Sequence, residues 1–169
     1  QVLERLIHSS GDFSLQDLLR FTPGSCEKGI SSLLGGAPIL TDTAMAAAAI
    51  APMAKRTLDS KVHSALYWVP EKVALGSTRT AVGIERAWKD LTKEFSDQQS
   101  PIVVVGSAPK ALSDLLQLVH AGAIAPSLII GMPVGFIGVS ESKLQLSNSG
   151  LPHIRLDGSR GGASLAAAA

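Results

Sequence analysis

A chain of 169 residues has the length of one domain with a sizeable core. Its 15 basic and 14 acidic residues nearly cancel and form no block of like charge, which argues against a nucleic-acid-binding face. The single cysteine, Cys26, excludes an intramolecular disulfide framework and a cysteine-rich metal site, and the apolar runs are shorter than a membrane span. Val2 to His8 places Leu3, Leu6 and Ile7 on one helical face, and Gly11-Asp12 breaks that helix. Phe13 to Phe21 reads as a short helical period. Pro23 suits the first turn of a helix that runs to Leu34 and stops at Gly35-Gly36. Residues 37–41 form a short strand, and Asp42 is placed to cap an alanine-rich helix from Thr43 to Ala51. Lys61 to Trp68 reads as a second strand, Thr80 to Phe95 as an amphipathic helix, and 96–100 as a polar loop. Strands at 101–105, 127–131 and 153–156 then alternate with helices at 109–120 and 139–146, and Gly158-Ser-Arg-Gly-Gly162 turns into a terminal alanine helix.

This alternation predicts an α/β fold: a single domain with a mostly parallel central sheet and helices on both faces. The ends read as cuts, because the first residues already look helical and Ala166 to Ala169 look like a helix cut short. One domain over 1–169, truncated at both ends, is therefore expected. No secretory signal pattern is present, so a cytoplasmic location is expected, with no membrane and no nucleic acid as partner.

The most informative stretches are Pro101-Ile-Val-Val-Val-Gly-Ser-Ala-Pro-Lys-Ala-Leu112 and Leu128-Ile-Ile-Gly-Met-Pro-Val-Gly-Phe-Ile-Gly-Val-Ser-Glu-Ser-Lys143. In each, a continuous apolar run stops at a Gly/Pro turn that leads into a helix. Such runs are strands buried on both faces, and their carboxyl ends are where ligands bind in open α/β sheets. No turn is a dinucleotide fingerprint or a Walker loop: Gly106-Ser-Ala-Pro lacks a second glycine, and Gly158-Ser-Arg-Gly-Gly lacks the Lys-Ser/Thr pair. A generic nucleotide-binding domain is thus the least favoured reading.

Arg5 and His8, three apart on a helix, can address one patch, and histidine is the side chain suited to proton transfer near neutral pH. A lone histidine at a helix end is by itself more often a packing residue. His63, His120 and His153 have no metal-ligand spacing with each other or with nearby carboxylates, and they read as structural or exposed. Thr78-Arg79-Thr80 opens a helix and could hold a carboxylate or simply be solvated. Glu141-Ser142-Lys143 reads as a solvated helix face, and Cys26 has no evident activating partner.

Taken together, these segments resemble the precorrin-8X methylmutase family of cobalamin biosynthesis. The 128–143 stretch matches that family's G-x-P-V-G-F-x-x-x-x-E-S-K signature. Arg5-Leu-Ile-His8, Gly36 to Asp42 with Met45, Gly76-Ser-Thr-Arg-Thr80, Gly106 to Leu112 and Gly158 to Gly162 agree in order and spacing, so the resemblance covers essentially the whole chain. The resemblance implies an α/β homodimer that moves a methyl group from C11 to C12 of a corrin precursor without a separate cofactor. It places the family's catalytic histidine on His8 and its neighbouring arginine on Arg5. Substrate carboxylates would be held by Arg5, Thr78, Arg79 and the turns at Gly106-Ser107, Pro133-Gly135 and Gly161-Gly162. The family commonly has Asn at Ser107, Thr at Lys110 and Arg at Ser159. These departures motivate an alternative, a weak or inactive tetrapyrrole-binding homologue, and the expectation that Lys110 meets a substrate carboxylate in place of the lost amide.

Overall fold

A computed structural model describes residues 1–93 and 100–169. Its helices are α1 (Val2–Ser10), α2 (Ser25–Leu34), α3 (Ala44–Thr57), α4 (Arg79–Leu91), α5 (Pro109–His120), α6 (Val139–Asn148) and α7 (Ala163–Ala168). The strands are β1 (Leu19–Phe21), β2 (Ile39–Thr41), β3 (Val62–Ser64), β4 (Ile102–Val105), β5 (Leu128–Gly131) and β6 (His153–Leu156). They form one sheet in the order β1-β6-β5-β4-β2-β3. Neighbours run parallel, save β1, which pairs antiparallel with β6 at one edge. The α/β architecture expected from the alternating pattern is the one observed.

The period-2 geometry of a strand explains why β4 and β5 read as unbroken apolar runs. Val103, Val105 and Ile129 enter a core with Ile84 and Trp88 of α4, Leu112 and Leu115 of α5, and Leu146 of α6. Ile102, Val104, Leu128 and Ile130 face the opposite way, toward Leu6 of α1, Ala54 of α3 and Leu165 of α7. With helices on both faces, no strand position in the middle of the sheet needs a polar side chain. Among the described residues, no helix is long and apolar enough to cross a membrane.

Five local expectations change. The segment read as one helical period over 13–21 is a 3-10 turn at Phe13–Asp17 followed by β1. Asp12 caps that turn by accepting the Ser14 N–H at 2.9 Å. The strand expected over Lys61–Trp68 stops at Ser64, whose hydroxyl accepts the Leu66 N–H at 3.3 Å and starts a 3-10 turn through Trp68. Helix α3 runs past Ala51 and through Pro52 to Thr57, because Ile50 and Ala54 on the same face are packed into the core. Its cap is Thr43, not Asp42: the Thr43 hydroxyl accepts the Ala46 N–H at 3.4 Å. Helix α4 ends at Leu91 and Thr92-Lys93 form a turn, so the helix expected to run to Phe95 stops short; residues 94–95 and most of the loop over 96–100 lie outside the described residues.

His153 at the start of β6 is buried and structural. Its Nδ1 lies 2.9 Å from the Leu151 carbonyl oxygen, and its Nε2 lies 2.8 Å from Arg155 Nη1. Arginine can only donate, so Nε2 is the acceptor and the ring is neutral, with its proton on Nδ1. Burial depresses the His153 pKa below its ordinary 6.5, and the adjacent Arg155 charge lowers it further. The unfolded chain therefore binds a proton that the folded chain refuses. The contribution of His153 to stability is fully present above pH 6.5 and is lost as pH falls below it. Urea midpoints at pH 7.5 and 5.5 are expected to differ more for the parent than for His153→Gln.

Candidate functional site

The three turns singled out in the sequence come together at the carboxyl edge of the parallel sheet and interlock through backbone. The Met132 N–H donates to the Val105 carbonyl at 2.8 Å, continuing β5 alongside β4. The Gly162 N–H donates to the Met132 carbonyl at 2.9 Å, and the Gly135 N–H donates to the Ser159 carbonyl at 3.0 Å. Glycine is required by proximity. A Cβ on Gly106 would lie 2.6 Å from the Ala163 Cα, and one on Gly161 would overlap the Met132 carbonyl oxygen. Pro133 is buried between these contacts, whereas Phe136 and Ile137 at the tip of the same loop are each 92% exposed.

Asp42 fixes the first turn. Released from capping α3, its fully buried carboxylate reaches the N-terminus of α5, where Oδ2 accepts the N–H groups of Gly106, Ser107 and Ala108 at 3.2, 2.7 and 2.9 Å. Burial raises the Asp42 pKa, and the three amides act in the opposite direction. These amides were expected to face substrate; they face Asp42. What this turn offers a ligand is the half-buried Ser107 side chain. Lys110, expected to meet a substrate carboxylate, instead forms an ion pair with Asp114 one turn along α5, at 2.9 Å.

The third turn is held from α6. Lys143 is 2% exposed, and its ammonium donates to the carbonyls of Gly158 at 2.7 Å and Arg160 at 2.6 Å. Burial lowers its pKa to about 8, against the pull of nearby Asp157. The expected solvated face at Glu141-Ser142-Lys143 is thus wrong for Ser142 and Lys143, which are both buried. Val139, Ser142, Lys143 and Leu146 share one helical stripe, and that spacing was the available signal. The Arg160 side chain extends the third turn outward, donating through Nη1 to Asp12 Oδ2 and to Ser14 Oγ. Hydrogen bonds from the Ser14 hydroxyl and amide hold the Asp12 carboxyl below the usual carboxylate range.

This contact brings the end of α1 to the edge formed by the turns. His8 lies in the last turn of α1, four residues before Asp12, and is exposed. Arg5 is also exposed, one turn earlier on the same face. Thr78 is the cap of α4, its hydroxyl accepting the Ala81 N–H at 3.2 Å, while Arg79 beside it is exposed. Arg5 additionally lines a groove of about 1100 Å³ beneath α1, α2, α3 and α7, walled by Ile39, Ile102, Val104, Leu128 and Ile130. None of the three turns lines this groove. The groove walls are mainly apolar, with Arg5 the charged side chain among the residues that line it.

Comparison with known proteins gives this geometry a family. Residues 1–169 match the precorrin-8X methylmutase family model. The chain belongs to the precorrin-8X methylmutase family. A precorrin-8X methylmutase of Pseudomonas aeruginosa is 40% identical over 174 residues, covering 98% of this chain and 78% of the relative. A cobalt-precorrin-8 methylmutase of Synechocystis sp. is 35% identical over 180 residues, covering 98% and 79%. Among solved structures, a precorrin-8X methylmutase from Thermus thermophilus superposes with a TM-score of 0.85 at 37% identity, covering 99% of this chain and 79% of that one. In this methylmutase-family chain, Ser107 and Ser159 act in the framework through backbone: the Ser107 amide reaches Asp42 and the Ser159 carbonyl accepts from Gly135, while Lys110 is paired on the surface of α5.

Proposed function

We propose that this chain is an isomerase of cobalamin biosynthesis, moving a methyl group from C11 to C12 of precorrin-8X or its cobalt form to give hydrogenobyrinic or cobyrinic acid. The observation that carries the reading is the meeting, at one sheet edge, of the α1 end bearing His8 with the interlocked glycine turns, in a chain of this family. Migration of a methyl group around a conjugated macrocycle redistributes charge. An imidazolium at His8 supplies a proton as that charge develops. Arg5 and Arg79, both exposed, would receive the acetate and propionate arms of the substrate, with Thr78, Ser107 and the turns at Pro133-Gly135 and Gly161-Gly162 shaping the cradle. Orientation of the bound macrocycle contributes the rest of the rate. The reaction so written needs no separate cofactor.

Incubation with precorrin-8X tests this reading. An isomerase converts many equivalents of precursor, and the absorption spectrum changes to that of the product. Binding without turnover would leave only a tetrapyrrole-binding protein. A cytoplasmic homodimer belongs to the same proposal. Ala48 and Ala49 of α3 are exposed small residues that permit close packing of a second subunit, whereas Ala46, Ala163 and Ala166 are buried within the chain. Light scattering at micromolar concentration is expected to give the mass of two chains; a fully active monomer would overturn this part.

A further inference from the structure

We propose that Lys143 and Arg160 together form a strut that positions the end of α1, and hence His8, against the glycine turns. The strut has two links in series. Lys143, buried on α6, donates to two carbonyls of the 158–162 turn, those of Gly158 and Arg160. Arg160 then reaches from that turn to Asp12 and Ser14, in the segment directly after α1.

Each link has a reason to be directional. An ammonium has three donors, and two of them converge here on carbonyls two residues apart, which fixes the curvature of the turn between. The chain there can follow that curvature because Gly158 has φ +72° and Gly162 φ +126°, both in the region that glycine tolerates best. The guanidinium meets a carboxylate and a hydroxyl through one nitrogen, Nη1, and these two partners are themselves joined, since the Ser14 hydroxyl donates to Asp12 Oδ1 at 2.6 Å. Both Arg160 and Asp12 are partly exposed, with side-chain accessibilities of 50% and 35%, so the pair contributes little to global stability. Its effect is on geometry. The helix bearing the proton donor is otherwise joined to this edge through its packing on α7 and on the turn at Phe13–Asp17. Displacing a catalytic group by about 1 Å can cost on the order of 100-fold in rate.

The activity part of the strut rests on the methylmutase reading, so the test has two readouts. Amide hydrogen exchange is compared in the parent, Lys143→Met and Arg160→Ala. The expected result is faster exchange in 158–162 for Lys143→Met, and faster exchange at the end of α1 and in 11–15 for both variants. Turnover of precorrin-8X is expected to fall about 10- to 100-fold in both variants, with KM changed far less, the signature of a misplaced donor. Restoring the ion pair in reverse, with Asp12→Arg and Arg160→Asp combined, is expected to recover turnover lost in Arg160→Asp alone. Unchanged exchange in both segments overturns the strut. Altered exchange with unchanged kcat overturns its positioning role. A parent that binds but never turns over precorrin-8X defeats the methylmutase reading, and exchange alone then decides whether the strut exists.

Discussion

His8→Ala is expected to lower the rate of methyl migration by about 10²- to 10⁴-fold, the usual contribution of a positioned general acid, with affinity for a corrin product much less affected. The asymmetry follows from where the proton matters. An acid that meets charge only as it develops stabilises the transition state and makes little contact with the ground state. His8 is free to act this way, since it is exposed at the last turn of α1, beside the segment that Arg160 ties to the sheet edge. Single-turnover kinetics and a separate product titration measure the two effects. Equal turnover in variant and parent removes His8 from the mechanism, and a binding loss as large as the rate loss makes it a substrate anchor.

Asp42→Ala is expected to be the most damaging single change to stability at the site. One carboxylate oxygen serves three backbone N–H groups at the start of α5, and alanine leaves all three without that acceptor in a buried position. A buried donor left unsatisfied costs roughly 1–3 kcal/mol, so the three together are expected to cost roughly 3–5 kcal/mol. For a domain of this size that corresponds to a fall in Tm of about 6–20 °C. Asp42→Asn keeps one acceptor oxygen and is expected to lose clearly less. Thermal unfolding of the three proteins checks this, and equal midpoints would mean that the 106–108 turn is held by something other than Asp42.

The sheet was legible because its inner strands are buried on both faces. Nothing interrupts 102–105 or 128–131, and a glycine turn follows each one. The edges were harder to read. β1 is three residues long, too short to display a period, and it is held by pairing with a strand more than 130 residues away. Asp42 and Thr43 are both good capping residues, and local sequence does not choose between them. The choice is made by the amides of Gly106 to Ala108, which reach Asp42 only once β2 and β4 are paired. Lys143 misled for a similar reason. Lysine on a helix is usually solvated, and its carbonyl partners lie in a turn 15 and 17 residues further on. His8 as a candidate and the glycine turns were read from the sequence, whereas the hydrogen bonds that tie the segment after α1 to the 158–162 turn were not.

The pairing of β1 with β6 also has a consequence for how the molecule comes into being. On a ribosome the segment bearing His8 is made well before the strand that pairs with β1 and the arginine that reaches Asp12, which follow more than 130 residues later. Closing a loop of that length carries a large entropic cost before any contact is returned, and topologies dominated by such distant pairings fold slowly. Strands β2 to β5 can therefore pair in parallel while the amino-terminal segment is still waiting for its partner. On this account the edge where the end of α1 meets the glycine turns forms after the parallel strands have paired.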